Sequence, residues 1–132
     1  MVVVNMTPHP VRIYAADTPD RATAEQLAAG LLAEIPPSGR MARLASTDLG
    51  ARPPVDVNGT LVPVTVVSYG DVENMPAPAP GVWYVVPLVT GLAAAGREDL
   101  LVPHEQVRNA DGTVVGCRAF GKVTPERRQR QP

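Results

Sequence analysis

Two histidines, a serine beside a glycine-arginine turn and a charged triplet after a small-residue run are the places where this sequence could do chemistry. His9 lies in Asn5-Met6-Thr7-Pro8-His9-Pro10, where a proline on each side fixes φ and displays the side chain in a set direction. Imidazole titrates near neutrality, which suits a general acid or base; an imidazole held by backbone hydrogen bonds in a proline-locked loop is the other reading. Ser38, Gly39, Arg40 and Arg43 place a hydroxyl, a free turn amide and guanidinium groups close together. Such a set can grip a phosphate or carboxylate, and it is equally the composition of a polar hairpin. Arg97-Glu98-Asp99 follows Gly96, where Arg97 can meet an anion or serve the end of a helix. A metal site would need His9 and His104 to converge with carboxylates such as Asp71 or Asp99.

Other chemistries lack their residues. There is no G-x-S-x-G around Ser38 or Ser46, and no Walker loop or G-x-G-x-x-G to cradle a phosphate. The single cysteine, Cys117, excludes an intramolecular disulfide and a cysteine-based zinc site, and it reads as a small buried hydrophobe in a strand. No cofactor is expected.

The elements that must position these groups are short. The stretch from Met75 to Pro103 organises the chain: alternate prolines at 76, 78 and 80 favour extended backbone, Gly81 releases it, and Val82 to Val86 reads as a central strand buried on both sides. Pro87 then suits the first turn of a helix over Leu88 to Gly96. Upstream, Val2-Val3-Val4 and Val11-Arg12-Ile13-Tyr14 read as strands. Thr23 to Ala33 fits a short helix weakened by Gly30, although Leu31 to Ile35 fits a strand equally well. Pro36-Pro37-Ser38-Gly39 predicts a hairpin turn into Met41 to Leu44, and Ser46 onward reads as a polar, proline-rich connection. Asn58-Gly59 predicts a hairpin joining Pro54–Val57 to Leu61–Val67, with an edge or bulge at Pro63. Asp111-Gly112 predicts another between Gln106–Arg108 and Thr113–Phe120.

These add up to a β-rich α+β domain of six to eight short, mostly antiparallel strands with one or two short helices. It occupies residues 1–120 and is followed by a charged, disordered tail over 121–132. At 132 residues with 45% apolar and 19% charged side chains, the chain supports one core without staples. The net charge of −1 gives no electrostatic case for a nucleic-acid polymer or a membrane surface. The start lacks a basic, apolar leader and no apolar run approaches a membrane span, so a soluble cytoplasmic protein is expected.

Several segments together resemble small proteins of phages, prophages and actinobacterial mobile elements. The matching residues are Asn5 and Thr7 to Val11, Ile35 to Gly39 with Ala42 and Arg43, and Pro78, Pro80, Gly81 and Tyr84. Arg97, Asp99 and Leu100 follow, and Arg108, Asn109 and Gly112 complete the set. The likeness covers most of residues 1–120 apart from the 46–60 stretch, and it supplies context rather than an activity.

The polar residues of the matching segments are Asn5, Thr7, His9, Ser38, Arg43, Tyr84, Arg97, Asp99 and Arg108. Their types suit a nucleotide-like anionic metabolite: arginine for charge, Asn, Thr and Ser for hydroxyls, Tyr for stacking. The leading expectation is a non-enzymatic binding module, assembled as a homo-oligomer, that holds or sequesters such a ligand. One alternative is a small enzyme using His9 as acid or base with Arg43 or Arg97 stabilising the developing charge. Another is a structural or interaction component of a phage, which would present an apolar surface patch and no convergent pocket.

Overall fold

A computed structural model describes residues 2–124, in eight strands and two short helices. Strands β1 (Val2–Asn5), β2 (Val11–Tyr14), β3 (Leu31–Ile35), β6 (Val82–Val85), β7 (Leu100–Arg108) and β8 (Val114–Gly121) form one sheet in the order β1-β6-β7-β8-β2-β3. Strands β4 (Arg43–Val57) and β5 (Thr60–Glu73) pair only with each other. Helix α1 (Ala24–Gly30) joins β2 to β3, and α2 (Leu88–Ala93) joins β6 to β7. The β-rich α+β class read from the sequence is the class observed.

The pairing is mixed. β6 runs parallel to β1 and β7, and β8 parallel to β2, while β2–β3, β7–β8 and β4–β5 are antiparallel. The parallel β6–β7 pair follows from α2, because a helical crossover returns the chain in the same direction.

Strands β1 and β3, at the two ends of the sheet order, meet. Asn5 bridges Pro37 in parallel, and the Ser38 N–H donates to the Asn5 carbonyl at 2.9 Å. The sheet thus closes on itself as a small six-stranded barrel, a solution that removes open edges. Its interior takes at least one apolar side chain from every strand: Val3, Val85, Leu101, Cys117, Val11 with Ile13, and Ile35. A second cluster lies on the outer face, where Tyr84, Val86, Leu100 and Val102 are covered by Met6, Ala42 and Val123. Tyr14, Ala22 and Val107 form a third, with Leu27 of α1 packed on it.

Several boundaries depart from expectation for identifiable reasons. The first helix stops at Gly30, not Ala33, and the chain turns extended at Leu31. Gly30 faces Thr18, whose Oγ1 lies only 2.4 Å from where a Cβ would stand, so this turn is packed onto a loop and Leu31 to Ile35 is free to pair with β2. Thr23 caps the helix start reciprocally with Gln26. The Pro36–Gly39 turn makes no hairpin: Pro37 goes to the barrel seam, and the strand after it pairs with β5.

The largest difference is at 46–53. In place of a polar connection it continues the expected hairpin into a long two-stranded arm, unbroken from Arg43 to Val57 and back from Thr60 to Glu73. Asn58 and Gly59 turn it with φ of 50° and 89°, as a primed two-residue hairpin requires. Its prolines are absorbed at a register shift between Arg52 and Val55, opposite Pro63. At the other end of the chain, β8 reaches Gly121, Lys122 pairs with Glu98, and Val123 packs on the outer cluster. The remainder of the expected tail, from 125, lies outside the described residues. Among the described residues no helix is long and apolar enough to cross a membrane.

Candidate functional site

The Thr7-Pro8-His9-Pro10 loop leaves β1 where the barrel closes, and one side chain shapes it. Asn5 is 1% exposed and uses both ends of its amide. Its Nδ2 donates to the carbonyls of His9 (2.8 Å) and Ile35 (3.0 Å), while Oδ1 accepts from the Thr7 N–H (2.9 Å) and the Thr7 hydroxyl (2.7 Å). Asn5 therefore ties the loop to itself and to the end of β3 at once.

Against this loop lies a cleft of about 630 Å³. Its walls are Thr7 to Arg12 on one side and Gln106 and Thr113 to Cys117 on the other, with Pro87 and Pro103. The lining is mostly apolar, with a few polar groups that can fix an orientation, which is the usual constitution of a small-molecule site. Arg12 also lines the cleft, and its carbonyl faces β8; its side chain reaches Glu34 on β3, Nε to Oε2 at 3.1 Å, with both side chains about two-fifths exposed. An ion pair so exposed is held weakly, so Arg12 is free to turn to a ligand.

Of the nine residues proposed from sequence, Thr7 and His9 line this cleft, and Asn5 stands behind them. The others lie elsewhere. The Ser38 hydroxyl donates to the Arg40 carbonyl within its own turn. Arg43 is exposed at the root of the arm, paired in register with Glu73. Arg97 makes a two-pronged bond to Asp99, at 2.9 and 2.6 Å, donates to the Pro76 carbonyl, and sits 5.9 Å above the Tyr84 ring. The Asp99 bond holds the Arg97 guanidinium in its charged form, above its ordinary pKa, and in turn holds the Asp99 carboxyl below the usual carboxylate range. This cluster fastens the segment before β6 to the start of β7. Arg108 closes the last hairpin by donating to the Gly112 carbonyl and to Gln106.

The sequence reading missed Arg12, Gln106 and Thr113 as lining residues. Arg12 carried a signal, since it is the polar position in an alternating strand that leaves the proline-locked loop; the other two carried none. Arg118 was also passed over. It is mostly buried and binds Asp20 and Glu105 while donating to the Thr18 carbonyl, so it pins the loop after β2 onto β8. Among the described residues no three His, Cys, Asp or Glu side chains gather as a metal centre needs.

Cys117, at the base of the cleft, is 1% exposed, and its thiol donates to the Arg12 carbonyl at 3.8 Å. Burial pushes its pKa up, which keeps it a thiol and unreactive. A chromogenic disulfide reagent is expected to label it at least about a thousandfold more slowly in the native protein than in denaturant, since access needs an opening of roughly 4 kcal/mol or more. Equal rates would place Cys117 at the surface.

Comparison with protein-family models, with curated proteins and with solved structures finds no match for this chain.

Proposed function

We propose that the protein is a non-enzymatic binding module whose ligand occupies the cleft between the Thr7–Pro10 loop and β8, and that the ligand is a nucleotide-like anion. The observation that supports this is the loop itself. Asn5 fixes four hydrogen bonds so that Thr7 and His9 are held at a mostly apolar cleft before any ligand arrives. Preorganisation of this kind favours binding because the ordering cost is met in folding.

The lining suits a flat ring between Val11, Val114 and Pro103, with Gln106 and Thr113 reading a polar edge and Arg12 turning from Glu34 to meet a phosphate. For the enzymatic alternative, His9 would need Arg43 or Arg97 beside it, and neither lines the cleft. The motif likeness to small phage and prophage proteins is compatible with a module that captures a metabolite without turning it over.

Thermal denaturation against mono-, di- and cyclic nucleotides and sugar phosphates tests the reading. A ligand at a hundred times its dissociation constant adds about 2.7 kcal/mol and should raise Tm by several degrees. The shift should shrink in both His9→Ala and Arg12→Ala, and the ligand should be recovered unchanged by mass analysis. A panel that leaves Tm unmoved, or a shift that ignores both substitutions, would overturn it.

A further inference from the structure

Among the described residues, the β4–β5 arm has no partner for either of its faces along most of its length. A two-stranded ribbon buries too little to be stable alone in water, so an arm of 15 and 14 residues needs something against it beyond its root. What it offers is specific. Along β5 the alternation puts Val62, Val64 and Val66 on one face, and the register adds Val55, opposite Val62, and Val57, opposite Thr60. Four of these valines are 40–53% exposed. The other face carries exposed Leu61, Val67 and Tyr69 too, but sets two carboxylates, Asp48 and Asp56, among them, and these would oppose their own copies in a self-contact. Arg52 is the one charged residue that the register places on the valine face.

Strand addition at the edges of the arm is interrupted at its middle. Pro53 and Pro54 on one strand and Pro63 on the other lack the N–H that a further strand would need there, and three register shifts bend the ladder. A face-to-face contact avoids that interruption. Near the root, α2, which contacts both arm strands, presents Leu88, Val89 and Leu92, each more than half exposed.

The areas agree with this. The chain exposes 8865 Å², against roughly 6,700 Å² for a compact monomer of its mass. A ribbon face roughly 45 Å long can supply much of the about 800 Å² that each partner buries in a standard interface.

We propose that the valine face of the arm is the interface between two copies of this chain, packed face to face about a twofold axis. A twofold contact needs one patch that complements itself, and a nearly uncharged valine stripe on a straight ribbon meets that need. A strongly charged partner would find one arginine on this face.

Sedimentation equilibrium on the full chain tests the proposal, with Val62→Asp/Val66→Asp on the valine face and Thr65→Asp on the opposite face as the control. The wild type and Thr65→Asp should be dimers or higher assemblies built from them. The double variant should associate roughly a hundredfold or more weakly, because two desolvated carboxylates per copy would have to enter the contact. Near-ultraviolet dichroism from Trp83, outside the arm, should be retained in all three. A second measurement is independent of the variants: the wild-type Tm should rise with protein concentration. A monomeric wild type with a concentration-independent Tm would overturn the proposal, including one that captures a different protein. So would a double variant of unchanged mass, or loss of association in Thr65→Asp alone.

Discussion

Asn5→Ala is expected to destabilise the protein by about 3–5 kcal/mol, a large part of the roughly 5–15 kcal/mol that holds a domain together. The side chain is completely buried and all four of its hydrogen-bonding positions are used. Alanine would leave the Ile35 carbonyl at the end of β3 and the Thr7 N–H without partners, and each buried group so orphaned costs about 1–3 kcal/mol. The loss falls where β1 meets β3, so the barrel would open along its seam. Asn5→Asp separates charge from shape. It keeps both acceptors but turns the two donors into a carboxylate facing the His9 and Ile35 carbonyls. That carboxyl would titrate higher folded than unfolded, so the variant should regain stability as pH falls through the folded value and lose it as pH rises. Urea denaturation across pH reads both effects; an Asn5→Ala loss under about 1 kcal/mol would mean the seam closes without this side chain.

Gly116→Ala should cost about 2–4 kcal/mol, a fall in Tm on the order of 10 °C. A Cβ at position 116 would stand 2.5 Å from the Arg12 carbonyl oxygen and 2.5 Å from Cε2 of Tyr14. The oxygen belongs to the backbone of β2 and the tyrosine ring is buried, so relief requires moving β2 away from β8. Those strands share one register pair, Ile13 with Cys117, so little ladder holds them together there. Gly91→Ala is the comparison. There the close neighbour, at 2.7 Å, is the Cγ1 methyl of Val102, which can rotate, and alanine is the better helix former. Gly91→Ala should therefore be much milder, and equal losses at the two sites would refute the backbone clash as the cause.

Local chemistry was legible in the sequence, and long-range pairing was not. The valine-rich runs of β1 and β6, the Asn58-Gly59 and Asp111-Gly112 turns and the helix after Pro87 all follow from residue types acting on their own backbone. The seam does not. Nothing near Pro37 indicates that its partner is Asn5, since a bridge across thirty residues is selected by the packing of the whole sheet. The hairpin about Asn58-Gly59 was legible, but the length of the arm was not, because Pro53 and Pro54 lower strand propensity locally, whereas a ribbon with free edges can absorb them at a shift in register. At the site, the Pro-locked loop was visible as a display of Thr7 and His9. The arginines named from the sequence lie away from the cleft, because the sequence lists charges without their partners, and Asp99 and the Gly112 carbonyl occupy two of them.

The parallel pairing of β1 with β6 also sets an order of events during synthesis. Val3 waits for Trp83, some eighty residues later. At ribosomal rates of about 5–20 residues per second, the first strand spends roughly 4–16 s before its β6 partner is made. In that interval β4 and β5, joined by a two-residue turn, can zip together in microseconds once both have emerged. The arm, like the β2–β3 pair before it, can thus be complete before β1 meets β6, and the barrel closes beside structure already formed.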